Sequence, residues 1–219
     1  MNFRILRSGR DALFHLLLIA TGALVASHPG SAHAQAEKFD RVSPGMLPAG
    51  WTFGVTGMGL ANWSIAPAPS APSGAGVLTQ SGSGDFPWAV RRDANLADGY
   101  VEARFRTMPG RQEQAGSVIW RWKNARSYYA ARADARRGRV VLAYAVGGAW
   151  TEVKSVDVTV TPDAWHLLRA EFRGNLMRVL LDGNPVLEAR DDRIRGPGGV
   201  GIGTHGDAMT GFDDVRYGR

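Results

Sequence analysis

Four polar side chains sit on two adjacent apolar stretches: Arg121 within 115–122, and Tyr128, Arg132 and Asp134 within 127–134. If both stretches are strands, residues two apart share a face. Tyr128, Ala130, Arg132 and Asp134 then line one side, opposite Tyr129, Ala131 and Ala133. In the preceding stretch Val118, Trp120 and Trp122 share a face, with Ser117, Ile119 and Arg121 on the other. With the two tryptophans turned into the core, Arg121, Tyr128, Arg132 and Asp134 would line one polar surface. Guanidinium and carboxylate groups grip hydroxyl pairs, and aromatic faces pack on the C–H surface of a sugar ring, so this set suits a hydroxyl-rich ligand. His205, in Thr204-His205-Gly206-Asp207, follows a strand end and is a further candidate ligand-binding residue, because loops present functional groups. Trp88, beside Pro87, and Trp150, after Gly147-Gly148, are candidate stacking platforms. The competing reading is a buried Arg–carboxylate network that braces the sheet.

Catalytic equipment is harder to find. A glycosidase of the usual kind needs two carboxylates flanking one bond. The stretch 100–107 offers Glu102 alone, with Arg104 and Arg106 on its face, and Glu171 lies between Arg169 and Arg173. Cationic neighbours hold a carboxylate ionised, which suits an ion pair better than a general acid. His166 falls on the apolar face of its stretch and reads as structural. The chain contains no Gly-x-Ser-x-Gly elbow, phosphate loop or His-Glu-x-x-His pattern. It has no cysteine, which excludes thiol catalysis and thiolate metal sites on its own residues.

The elements that must position these residues have a period of two. Alternation predicts strands over 100–107, 115–122, 127–134 and 139–146, and one or two more over 150–160. Further strands are expected over 165–173, 176–181, 186–189, 200–204 and 212–217. Gly174-Asn175 and Asp182-Gly183-Asn184-Pro185 are hairpin signals between them. Turn residues surround short apolar pieces over 35–63. The segment 66–76 is rich in Pro and Ser and reads as a surface loop inside one domain. No stretch after residue 35 carries a helical stripe of more than two turns. Many short antiparallel strands in one domain mean an all-β sandwich or jelly roll.

The first 34 residues read as a signal peptide. Arg4, Arg7 and Arg10 precede an apolar run over 12–25, and Ala32-His33-Ala34 supplies a small-x-small cleavage pattern before Gln35. The run is shorter than the roughly 20 residues of a membrane span, and no later segment is apolar enough to cross. The expectation is a single exported domain over 35–219, periplasmic or secreted, of about 185 residues. The net charge of +6 includes three arginines of the leader. An exported basic chain without a nucleic-acid motif points to acidic glycans or the cell envelope as partners, not to nucleic acid.

Several segments together resemble a known family. They are Leu47-Pro48-Ala49-Gly50-Trp51, the run 114–122, the run 127–133, the run 165–173, Leu181-Asp182-Gly183-Asn184-Pro185, Gly199-Val200-Gly201-Ile202-Gly203 and Phe212-Asp213-Asp214-Val215. Over 39–217 the chain is similar to exported bacterial concanavalin A-like jelly-roll domains of the 3-keto-disaccharide hydrolase type, which are loosely laminin-G-like or glucanase-like. It departs from them at Gly203, where they tend to carry an aromatic residue, at His205, where they tend to carry lysine, and at Arg136-Arg137-Gly138-Arg139, which replaces a more acidic turn. The resemblance implies an antiparallel jelly-roll sandwich. It also implies one of three roles: a lectin-like carbohydrate-binding domain, a glycoside-active enzyme of the 3-keto-disaccharide hydrolase type, or an envelope protein-interaction domain. Related closing strands use an acid with backbone carbonyls to hold a structural calcium ion, which makes Asp213 and Asp214 the candidate metal ligands.

Overall fold

The computed structural model describes Met1, residues 34–109 and residues 111–219. The expected leader lies outside the described residues except at its ends. Every strand or helix assigned among the described residues is a strand: β1 (Gln35–Glu37), β2 (Thr52–Leu60), β3 (Trp63–Pro67), β4 (Gly76–Gln80), β5 (Ser83–Leu96), β6 (Gly99–Thr107), β7 (Ala115–Asn124), β8 (Ser127–Asp134), β9 (Arg139–Val146), β10 (Ala149–Asp157), β11 (His166–Arg173), β12 (Leu176–Leu181), β13 (Asn184–Arg190), β14 (Gly198–Gly203) and β15 (Thr210–Gly218). No helix among them is long and apolar enough to cross a membrane.

Two antiparallel sheets result. One runs β13-β12-β11-β6-β15-β4-β3, with β1 also paired to β15; the other runs β10-β9-β8-β7-β14-β5-β2. Their facing surfaces hold the main core, which includes Leu78, Val101, Phe105, Leu168, Phe172 and Phe212 from the first sheet and Val118, Trp120, Tyr129, Leu142 and Ile202 from the second. Trp120 is wholly buried, with ring centroids 5.7 Å from Tyr129 and 5.8 Å from Phe172. This is the jelly-roll sandwich expected from alternation. The strands over 52–96 were hidden in the sequence because glycines and prolines interrupt them. The Pro/Ser-rich segment connects β3 to β4 and is pinned at Ser73 by Asp213 and at Ala75 and Gly76 by Asp40.

One strand departs from simple alternation. Arg121 has φ of 47°, and the β7–β8 register shifts between Trp120 and Asn124. This bulge turns Trp122 away from Trp120, so Trp122 packs with Trp88, Val90, Ile119 and Tyr128 on the sheet's other face. It also swings Arg121 toward one end of the sandwich. There its guanidinium donates to the carbonyls of Ala97, Ile194 and Gly174 at 3.0, 3.1 and 2.5 Å. The expected face shared by Arg121, Tyr128, Arg132 and Asp134 is therefore corrected: Arg121 leaves it. It joins the β5–β6 turn, the β11–β12 turn and the segment before β14.

The outer face of the seven-stranded sheet is concave. Phe86 on β5 and Trp150 on β10 lie five strand steps apart, about 24 Å in a flat sheet at the usual spacing. Their ring centroids are 4.2 Å apart and nearly parallel. Only a strongly curled sheet brings them together. Small residues make the curl possible: Ala130, Ala143, Ala145, Ser117, Gly201 and Gly203 all pair on this face. A Cβ on Gly201 would lie 2.2 Å from the Ala89 carbonyl, so only glycine permits that approach of β14 to β5.

Two stability predictions follow from this packing. Trp120→Ala should lower the unfolding free energy by about 3–5 kcal/mol. Arg121→Ala leaves three carbonyls without their donor and should cost about 3 kcal/mol, read in thermal unfolding as a fall of roughly 6–12 °C. A loss below about 1 kcal/mol for Arg121→Ala would contradict its bracing role.

Candidate functional site

The concave face gathers its chemistry at one end. Phe86, from β5, carries Trp150 at 4.2 Å and the imidazole of His205 at 5.1 Å. His205 lies in the loop between β14 and β15, which is held down by the Gly84–Gly206 bridge. Its Nδ1 donates to the Asp85 carbonyl at 2.9 Å, and its Nε2 faces Glu113 Oε1 at 4.0 Å. Asp207 accepts the N–H groups of Gln112 and Glu113 at 3.2 and 2.9 Å, which fixes the segment carrying Glu113. Phe86, Trp150, His205 and Glu113 are all half-buried. Beneath them, the Arg132 guanidinium sits over the Trp150 ring at 5.5 Å.

Arg132 is the unusual member. Only 6% of its surface is exposed. Its Nε is fully buried and has no hydrogen-bond partner. The carboxylates that act on it, Asp134 and Glu113, are held by another residue. Arg137 donates to Glu113 Oε2 and Oε1 at 2.5 and 2.8 Å, and to Asp134 Oδ2 at 2.9 Å. Burial lowers the pKa of Arg132, although Asp134 pulls the other way. The hydrogen bond from Arg137 holds Glu113 below the usual carboxylate range. The charge of Arg132 is offset by Asp134 and Glu113, which share Arg137 as their other cation, and by the Trp150 ring, but its buried Nε makes no hydrogen bond among the described residues, which costs about 1–3 kcal/mol. Arg132 therefore keeps hydrogen-bonding capacity that the described residues do not use.

The other expected site residues divide. Tyr128 shares the face but is buried; its hydroxyl donates to Thr56 Oγ1 at 2.9 Å, and burial pushes its pKa up to about 12. Asp134 is wholly buried and ties the β8–β9 turn through Arg137, as a bracing network would. His205 and Arg132 lie at the same end of the face as Trp150. Trp88 is not a platform: it is buried against Gly54, where a Cβ would sit 2.5 Å from its ring. Phe86, Glu113 and Arg137 were not singled out from sequence. Only the curl, which no local pattern records, brings Phe86 to Trp150.

Two places bring carboxylates near one another, and each is bridged by a guanidinium. Glu113 and Asp134 share Arg137; Glu102 and Glu171 share Arg169 at 2.8 and 2.9 Å. The second lies on the outer face of the eight-stranded sheet. Arg169 there stands 3.8 Å over Tyr100, and with Glu171, Asp98, Arg173 and Arg178 the two line a hollow of about 600 Å³. Neither pair has the free acid and free base that glycoside hydrolysis by two carboxylates requires.

The Asp213–Asp214 pair suits a clamp better than a calcium site. Asp213 accepts from the Ser73 N–H at 2.8 Å, from the Ser73 hydroxyl at 3.1 Å and from the Asp214 N–H at 2.7 Å. Burial raises its pKa. Asp214 faces Arg104 and Arg216 at 3.7 and 3.6 Å, and its Oδ1 is buried without a hydrogen bond. Calcium needs six to eight oxygen ligands, and here donors and guanidinium groups surround the two carboxylates. Among the described residues no three His, Asp or Glu side chains cluster for a metal. Thermal unfolding should therefore give the same Tm in calcium and in chelator. A rise of several degrees with calcium would show that the pair binds it.

The fold has solved counterparts. The carbohydrate-binding module CBM66 from Bacillus subtilis is 23% identical, with a TM-score of 0.62 over 76% of this chain and 93% of that one. The β-glucanase of Bacillus licheniformis is 12% identical, with a TM-score of 0.53 over 88% of this chain and 100% of its own. The laminarinase from Rhodothermus marinus is 16% identical, with a TM-score of 0.56 over 86% and 98%. These likenesses establish the jelly-roll fold. No curated protein sequence matches the chain. A family model matches residues 50–217, from just before β2 through most of β15, and on that match the chain belongs to the 3-keto-alpha-glucoside-1,2-lyase-like domain family.

Proposed function

We propose that this chain is an exported carbohydrate-binding domain that holds a glycan, such as a cell-envelope polysaccharide, at the aromatic end of its curled sheet. The observation that carries the reading is the grouping there of Phe86, Trp150 and His205 with the guanidinium of Arg132, whose Nε has no hydrogen-bond partner among the described residues. Rings offer apolar surface to sugar C–H groups, and convergent polar groups fix the hydroxyls. The likeness to a carbohydrate-binding module supports it. The leader pattern over 1–34 supports export to the periplasm or beyond.

A second reading is turnover of a 3-keto-glycoside, favoured by the family membership. His205 Nε2 and Glu113 are the groups with which such chemistry would begin. A third role, as an envelope protein-interaction domain, has the same fold behind it but no observation of its own.

Two experiments test the proposal. On a glycan array the purified chain should bind one glycan class saturably, and Trp150→Ala should weaken that binding at least tenfold, about 1.4 kcal/mol, with the circular-dichroism spectrum unchanged. Unchanged affinity would place the ligand elsewhere, and turnover of a 3-keto-disaccharide without retention of any glycan would favour the second reading. Mass spectrometry of protein recovered from the periplasm or medium should find a chain starting at Gln35. An N-terminus at Met1 in the cytoplasmic fraction would contradict export.

A further inference from the structure

Resting on the carbohydrate-binding reading, we infer that the glycan is acidic, and that Arg132 beside Trp150 is a subsite for the carboxylate of a uronic acid unit.

Arg132 has five N–H donors, and no described residue accepts a hydrogen bond from it or lies within ion-pair distance. The same is not true of its neighbours. Arg137 is bonded to both Glu113 and Asp134, and Arg139, whose Nε is likewise buried without a hydrogen-bond partner, has Glu152 at 3.6 Å. Arg121, the other deeply buried arginine of this sheet, has three carbonyl acceptors. Among these arginines, Arg132 alone has neither a hydrogen-bond acceptor nor an ion-pair partner among the described residues, and it is the one beside the aromatic cluster.

A neutral sugar would offer acceptors but no charge. A carboxylate offers both, and its two oxygens match the guanidinium fork. Arg137 and Arg132 together balance the charges of Glu113 and Asp134, and because Arg137 makes the hydrogen bonds to both carboxylates, the donors of Arg132 are left for a ligand. A carboxylate attached directly to a sugar ring would bring that ring to Trp150 and Phe86, which lie alongside.

The test is calorimetric titration of the purified chain with oligomers of galacturonate, glucuronate and mannuronate, with the methyl esters of the same oligomers, and with neutral cello-oligosaccharides. One acidic series should bind at least tenfold more tightly than its ester, with the preference reduced by added salt. Arg132→Met should abolish that preference, and Arg132→Lys should keep part of it. The circular-dichroism spectrum of Arg132→Met should match that of the native chain, so that a lost preference reports a lost contact and not a lost fold. Equal affinity for acid and ester, or an acid preference that survives in Arg132→Met, would each overturn the inference. Tight binding of neutral glycans alone would overturn it while leaving the carbohydrate-binding reading intact. Failure of every saccharide, neutral or acidic, would overturn both.

Discussion

The stack of Phe86 on Trp150 is the contact around which the functional face is organised. It joins strands that lie five steps apart in one sheet. It can form only because that sheet curls, and the curl depends on small side chains along the concave side, among them Ala130, Ala143, Gly201 and Gly203. Side chains on a concave face crowd one another, so bulk there would force the sheet open. The aromatic rings then cover the small-residue floor and exclude water from it. The result is a second core, with Trp88, Val90, Ile119, Trp122 and Tyr128 at its base. The rings at its rim stay half exposed.

Two buried arginines on this sheet show how the fold separates stability from function. Arg121 occupies a bulge in left-handed backbone, a conformation unfavourable for a side chain with Cβ, and three hydrogen bonds to carbonyls offset it. Its work is to hold turns together at one end of the sandwich. Arg132 lies in regular strand, and none of the described residues accepts a hydrogen bond from it. A buried group with unmade hydrogen bonds beside a ring cluster suits a binding site, since a ligand can supply the missing interactions. The clamp of Asp213 on Ser73 belongs with Arg121: both spend polar groups on loops that the apolar core does not reach.

Much of the architecture was legible from alternation. The strands from β6 to β15 lie close to where the period of two places them, and the hairpin residues Gly174-Asn175 and Asp182-Gly183 mark turns that form. The strands from β2 to β5 were less visible because Gly54, Gly57, Gly59 and Pro87 break the pattern for reasons of close packing. The site was legible only in part. Parity correctly grouped Tyr128, Arg132 and Asp134, but it could not reveal the bulge at Arg121, since nothing in Trp120-Arg121-Trp122 signals left-handed backbone. Nor could it show that Arg137 would take both nearby carboxylates. Those facts arise from tertiary contacts between residues far apart in the chain, such as Glu113 with Arg137 and Phe86 with Trp150.

The most direct test of the account is a crystal structure of the chain with a bound oligosaccharide. The account predicts the sugar at the rim of the curled sheet, against Trp150 and Phe86, with a ligand oxygen hydrogen-bonded to the guanidinium of Arg132. A sugar bound instead on the opposite sheet, in the hollow beside Tyr100 and Arg169, would contradict it.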